Sequence, residues 1–302
     1  MDSDTAMDGS TSDSGTSGTR GLGPVVVGTD GSDHATKALL WAADEAASRS
    51  RSLTVVHAIG VEQARHLAFD DAQTVLREAR KTLDEAAERV AREHADVPVS
   101  TVLSREEAAE SLMEAAGEDG TVVVGSRGMG GFTALLVGSV GLRTAARAKG
   151  PVVVVHRVEE GAGGGVAVAV RDDGDRDALM YAARTARLRD VPLRVVSVWL
   201  FLQNMGSMAT MVDDLSGLAE SQREATSHMV EPVRKKFPDL TVSVESVRAT
   251  SVAGALVEAS ADVGLLVMGA RRPAHRIGSP LGRVTHAVLH HAPCPVAVIP
   301  RG

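Results

Sequence analysis

The sequence predicts an α/β fold, arranged as two tandem doubly wound domains, each with a five-stranded parallel sheet flanked by helices. Three observations lead there. Short, wholly apolar, valine-rich runs alternate with longer amphipathic segments, the pattern of strands buried on both faces with helices between them. The succession runs through twice: Gly125 and Pro151 recur 144 residues later as Gly269 and Pro295, the spacing of a duplicated domain rather than of a solenoid unit. Aromatic residues make up only 2% of the chain, so the core must be built from Val, Leu, Ile and Ala, which parallel sheets bury.

The elements follow in order. Residues 1–23 are rich in Ser, Thr, Gly and Asp. They lack the apolar surface needed to offset ordering entropy and are expected to form a disordered tail. The first domain is expected over 24–158. Its first strand is Pro24 to Gly28. Ser32 caps a helix that runs to Ala47, with Ala35, Ala38, Leu39, Ala42 and Ala46 at helical spacing. Strands are expected over Leu53–Ile59, Val97–Leu103, Thr121–Gly125 and Pro151–His156, and helices over Asp70–His94, Arg105–Ala116 and Ser139–Ala148. A glycine-rich linker spans 159–165, and the second domain, 166–302, repeats the pattern. Its strands are Val166–Val170, Leu193–Trp199, Thr241–Val247, Val263–Met268 and Pro295–Ile299; its helices are Asp175–Arg189, Leu215–Phe237, Ser251–Ser260 and Leu281–His291.

Composition narrows the function classes. With 44% hydrophobic and 24% charged residues the chain suits a soluble globular protein. A net charge of −7 argues against general affinity for nucleic acid or anionic membranes. The acidic N-terminus has neither a basic region nor an apolar run of signal-peptide type. The best candidate for a membrane span, Val195 to Leu202, is far short of the roughly 20 residues one needs. The single cysteine, Cys294, excludes an intramolecular disulfide and fits a reducing cytoplasm.

In sheets of this kind ligands bind beyond the carboxyl ends of the strands, so the loops after the first and fourth strands are where chemistry is expected. The fourth-strand loop reads Gly125-Ser126-Arg127-Gly128, then nine residues, then Gly138-Ser139-Val140. Gly125 lets the chain turn off the strand and Gly128 lets backbone approach a ligand. Loop amides can cradle phosphate oxygens, and the helix opening at Gly138-Ser139 presents its N-terminal amides and dipole to an anion. Arg127 can add charge or point to solvent. A P-loop is excluded because no G-x-x-x-x-G-K-[ST] exists, and the G-x-G-x-x-G spacing fails as well.

The spacing Gly125-x2-Gly128-x9-Gly138-Ser139 resembles the ATP-binding motif G-x2-G-x9-G-[ST] of the universal stress protein family. Val26 to Ser32, Thr54 to Ala58 and Pro151 to Val155 resemble its first, second and last strands. The resemblance implies a Rossmann-like, adenine nucleotide alpha hydrolase-like fold and a cytoplasmic stress-response protein gated by ATP, with Mg2+ as an optional companion. It implies no turnover, since no general base or metal cluster is visible. By that likeness Gly28, Thr29 and Asp30 lie at the adenosine end, Asp30 against the sugar hydroxyls. Ala58 lies at the adenine, and Val124, Gly125, Arg127, Gly128, Gly138, Ser139 and Val140 lie around ribose and phosphates. Such domains pair through their last strands, so Val152–Val155 and Val296–Ile299 are expected to join within the chain, and the chain to form a homodimer. The alternatives are a slow ATPase or another adenine-nucleotide enzyme of the same fold, and a nucleotide-free scaffold.

The second copy departs from the motif. Gly269-Ala270-Arg271-Arg272 and Gly282-Arg283 replace the second glycine and the serine with arginine. The Asp30 counterpart is Val170 or Arg171. A dead or altered site is preferred over one that binds a different anion, because a charge cluster on a loop is usually a solvated face. His290 and His291, adjacent on a helix, make a poor chelating pair and suit the helix C-terminal dipole instead. His57 reads as a satisfied core histidine, Cys294 as buried and inert, and Met205, Met208 and Met211 as loop packing or an adaptable surface.

Overall fold

The computed structural model describes residues 23–60, 69–128, 137–156, 164–200, 212–270 and 281–301. The expected tail, most of the linker, the Met205–Met211 segment, and Arg271 and Arg272 lie outside the described residues.

The first repeat contributes β1 (Val25–Gly28), α1 (Asp33–Arg49), β2 (Leu53–Ala58), α2 (Phe69–Glu93), β3 (Val99–Ser104), α3 (Ala108–Ala116), β4 (Thr121–Gly125), α4 (Ser139–Arg147) and β5 (Val152–Val155). The second contributes β6 (Val166–Ala169), a 3-10 turn (Asp173–Asp175), α5 (Arg176–Leu188), β7 (Leu193–Leu200), α6 (Val212–Lys236), β8 (Val242–Ala249), α7 (Val252–Ala259), β9 (Leu265–Ala270), α8 (Arg283–His291) and β10 (Val296–Pro300). Each expected element over the described residues is present. The shifts at the ends are local: α3 starts at Ala108 rather than Arg105 because the Ser104 hydroxyl accepts the Glu106 amide at 3.1 Å and holds a turn there. In the same way Asp172 caps a 3-10 turn before α5 begins.

The strands form one ten-stranded sheet in the order β3-β2-β1-β4-β5-β10-β9-β6-β7-β8. Within each repeat all pairings are parallel, and the two half-sheets meet through β5 and β10, the expected pairing of last strands, which run antiparallel with Val154 opposite Val296 and Val152 opposite Val298. Valine fills β5 because both of its faces are covered; all four of its residues are buried. One core cluster unites Val25, Val27, Val123 and Val153 with Val168, Val195 and Val267 under α1, α2, α5 and α6. The cluster on the opposite face unites Val26, Val122, Val124 and Val154 with Leu266, Val296 and Val298 under α3, α4, α7 and α8. Both clusters cross the boundary between repeats, so the hydrophobic effect stabilises the pair of domains as it does each one.

A buried polar cluster supports the same seam. Glu45 on α1, 1% exposed, takes Arg49 of its own helix and Arg189, just past α5, whose Nη2 lies 2.5 Å from Oε2. Arg49 also donates to Thr121 Oγ1 at 2.9 Å and to the Tyr181 hydroxyl at 2.8 Å. The Arg189 guanidinium lies 5.0 Å from the Trp41 ring centre. Burial pushes the Glu45 carboxyl up, but the two guanidiniums outweigh it and hold the group below its ordinary value. Removing the carboxylate would take the countercharge from the buried Arg49 and the half-buried Arg189. Glu45→Ala is therefore expected to lower stability by about 3 kcal/mol, read as a fall in the urea midpoint. Glu118→Ala, which removes an exposed pair with Lys149, is expected to change it by less than about 1 kcal/mol.

Candidate functional site

β1 and β4 lie side by side at the centre of the first half-sheet, while their following chains leave toward opposite faces. The fork leaves a crevice above their carboxyl ends, as the switch-point rule requires. Its volume is about 350 Å3, within the range of small-molecule sites. All eleven residues singled out from the sequence line it: Gly28, Thr29, Asp30, Ala58, Val124, Gly125, Arg127, Gly128, Gly138, Ser139 and Val140.

Each is placed by a local cause. Asp30 Oδ1 accepts the Ser32 amide at 3.0 Å, and Ser32, as N-cap of α1, accepts the Ala35 amide at 3.2 Å. That double turn fixes the Asp30 carboxylate over the end of β1. Gly128 reaches the same point from β4: a Cβ there would stand 2.5 Å from Asp30 Oδ2. Gly125 has a different constraint, since its Cβ would stand 2.7 Å from the His34 carbonyl oxygen, against backbone that cannot swing aside. The Gly138 amide donates to the Ser126 carbonyl at 2.7 Å, which anchors the start of α4 to the loop after β4. The first α-helical bond of α4 is Leu142 N–H to Gly138 at 3.2 Å, so the amides of Ser139, Val140 and Gly141 precede the ladder, as at every helix start. No side chain caps them.

Five further residues line the crevice: Ala35, Val56, Ala108, Leu112 and Gly141. Val56 was legible, since it shares a strand face with Ala58. Ala108 and Leu112 come from α3, and nothing in the motif spacing points to that helix. His57 corrects the expectation of a satisfied core histidine. It is half-buried, and its Nδ1 has no partner among the described residues. Burial pushes its pKa down, against the pull of the nearby Asp30 carboxylate. Cys294 is 3% exposed and its thiol is pushed up to about 11 by burial, as an inert cysteine should be. Among the described residues no group of His, Cys, Asp or Glu is arranged to hold a metal ion, and no helix is long and apolar enough to cross a membrane.

The second repeat keeps a smaller crevice of about 120 Å3. Register shows why. Gly28 and Val56 pair in the first repeat as Ala169 and Val196 do in the second, so Ala58 becomes Val198 and Asp30 becomes Arg171. On the helices, Ala108 becomes Val252 while Leu112 is kept as Leu256. Every change at the apolar end adds carbon. At the polar end the Asp175 carboxylate, 2% exposed, lies against Gly269, where a Cβ would stand 2.1 Å from its Oδ1. Asp175 accepts the Arg171 amide at 2.9 Å and the Arg301 Nε at 2.8 Å. Gly269 thus survives in the degraded motif to seat a protein side chain. Arg283 stands exposed at the start of α8, where Ser139 stands in the first repeat.

The universal stress protein family model matches residues 22–156 and again 165–300. The chain belongs to the universal stress protein family. Among curated relatives, universal stress protein Rv2028c of Mycobacterium tuberculosis is 30% identical over 91% of this chain and 95% of its own. Universal stress protein Rv2624c of the same organism is 29% identical over 92% and 96%. The tandem arrangement is therefore shared along almost the full length of both. A crystal structure of a universal stress protein from Archaeoglobus fulgidus superposes with a TM-score of 0.64, covering 92% of this chain and 98% of that one at 20% identity, which speaks to the fold.

The glycine contacts divide the motif by cause. Gly125→Ala forces a Cβ into backbone and is expected to cost about 1–3 kcal/mol. Gly138→Ala, whose Cβ would meet the Ser126 carbonyl at 3.7 Å and Arg127 Cα at 3.9 Å, both ordinary contacts, is expected to cost under about 1 kcal/mol. Thermal melts of the two variants read the difference.

Proposed function

We propose that the first domain binds ATP in the crevice between β1 and β4, and that the protein is a cytoplasmic, nucleotide-gated stress regulator rather than an enzyme that turns ATP over. The observation that carries this reading is the convergence of Asp30 and Gly128, which leaves the polar half of the crevice walled by small residues and backbone. A Cβ at Gly128 would stand 2.5 Å from the Asp30 carboxylate, so a side chain there would displace that carboxylate from the cradle. Val56, Ala58, Ala108 and Leu112 form an apolar end suited to the base. Asp30, a carboxylate able to accept two hydrogen bonds, suits the sugar hydroxyls. The Ser139 hydroxyl and the first amides of α4 suit the phosphates, with the positive end of the helix dipole toward them. Arg127 lines the same end and adds the charge a phosphate needs. Mg2+ would enter as the companion of the triphosphate. The polar side chains of the crevice, Thr29, Asp30, Arg127 and Ser139, offer hydrogen bonds and charge but no lysine of P-loop type.

The same reading assigns one nucleotide to each chain, because the second crevice is smaller and holds the Asp175–Arg301 pair. A homodimer of the tandem chain remains part of the proposal. It would need another surface, since β5 and β10 are spent on each other, and light scattering decides it.

The test is direct. Freshly purified protein is denatured and the released small molecules are read by mass spectrometry, and titration calorimetry with ATP follows. ATP release and a stoichiometry near one per chain are expected. Gly128→Ala combined with Ser139→Ala is expected to weaken binding by more than about 100-fold, given roughly 1–3 kcal/mol for each lost contact. Release of nothing, together with no heat of binding, overturns the reading.

A further inference from the structure

The seam between the repeats carries a cluster of histidines that nucleotide binding does not use. His156 directly follows β5, and its Nε2 lies 2.5 Å from the carbonyl oxygen of Leu289, in the last turn of α8. A carbonyl cannot donate, so Nε2 carries the proton, and in the neutral ring Nδ1 is left as the acceptor. That Nδ1 is buried with no hydrogen-bond partner among the described residues, although the Val154 carbonyl bears on the ring. On α8 the ring centres of His286 and His290 are 4.5 Å apart and those of His290 and His291 6.4 Å apart. His290 Nε2 is also buried without a partner among the described residues. From α1, His34 bears on His156 electrostatically, as His290 does from α8. Among the described residues no carboxylate lies within ion-pair distance of His156 or His290, in contrast to His94, which meets Asp44 at 3.1 Å.

We propose that this cluster is a proton-sensitive latch: with neutral rings it closes the seam between the two domains, and on protonation it loosens the seam and the phosphate cradle beside it. Protonation of His156 and His290 would place like charges on both sides of one interface, one from the first domain and one from the second, with His34, His286 and His291 close by. The path to the cradle is short. The carbonyl of Val155, next to His156, accepts the Ser126 amide at 2.8 Å, and the Ser126 carbonyl accepts the Gly138 amide at 2.7 Å. Any displacement of the end of β5 is therefore passed to the residues that open α4.

The direction of the linkage follows from burial. Desolvation pushes both rings below their ordinary pKa; for His290 the neighbouring imidazoles add to it, and for His156 the carbonyls of Leu289 and Val154 oppose it. A group with a lowered folded-state pKa leaves the unfolded chain holding more protons near pH 6, so stability is full above the unfolded value of about 6.5 and falls as pH drops through it.

The experiment uses the full chain and the variants His156→Gln, His290→Gln and both together; glutamine keeps a donor and cannot titrate. Thermal melts are taken from about pH 8 to about pH 5.5. The wild type is expected to lose at least about 3 °C more than the double variant over that range. Parallel curves for wild type and both single variants overturn the latch; His290→Gln keeps the test alive if the His156 variant does not fold. The link to the cradle rests on the ATP reading and has its own arm. ATP affinity of the wild type is expected to fall by about five-fold more than that of His156→Gln between those pH values. Equal falls confine the latch to the seam and overturn the coupling. Absence of any ATP binding removes the nucleotide reading while the melts still judge the latch.

Discussion

β5 and β10 are runs of valine, alanine and isoleucine that would each be the exposed edge of a five-stranded sheet. An edge of that length and apolarity invites pairing with any passing strand. Here each blocks the other, Val154 against Val296 and Val152 against Val298. The result is a single sheet with one continuous core on either face. Because the strands of each repeat are parallel and the junction is antiparallel, the two domains face each other about an approximate two-fold, and the elements that flank the junction become shared. The Glu45 cluster on one face and the histidine cluster at the strand ends both exist because of that arrangement. The Glu45–Arg189 and His156–Leu289 contacts that complete them could not be made by a domain alone.

The junction also lets the two crevices diverge. A domain whose core continues into its neighbour need not be held in shape by its own ligand. The first crevice keeps small residues at its polar end, where Asp30 and Gly128 meet, and an alanine-walled apolar end. In the second the apolar walls have grown by a methyl group or two, and a buried carboxylate clamped by Arg301 fills the polar end. A protein cation thus satisfies there what a ligand or water would otherwise have to satisfy. The sheet beneath the two is the same, and the difference lies in what stands above it: the side chains that project there and the 3-10 turn that brings in Asp175.

Two kinds of ionisable group sit at the seam, with opposite consequences. Glu45 is charged and answered by two guanidiniums, so it is fixed over the whole working range of pH. His156 and His290 are half-buried, each with one buried ring nitrogen that has no partner among the described residues, so their neutral forms are favoured and their protonation is costly. One set holds the domains together and the other makes the hold conditional.

The sequence by itself determined the α/β class, the duplication, every strand and helix over the described residues to within a few positions, and the eleven positions that meet in the first crevice. It could do so because those features are local: apolar runs, helical periodicity, and glycines at fixed spacing around two turns. It also marked the second motif as altered, since Arg283 stands where a serine would. What only the tertiary structure decided is everything that crosses between segments distant in the chain. Ala108 and Leu112 reach the crevice because α3 packs over β1 and β2, which no motif encodes. His57, expected to be satisfied, has an unpaired nitrogen because no donor among the described residues reaches it. Asp175 and Arg301, 126 positions apart, fill the second crevice only because β10 ends beside β9. Burial and partnership are properties of the packed neighbourhood, and a chain written in one dimension does not carry them.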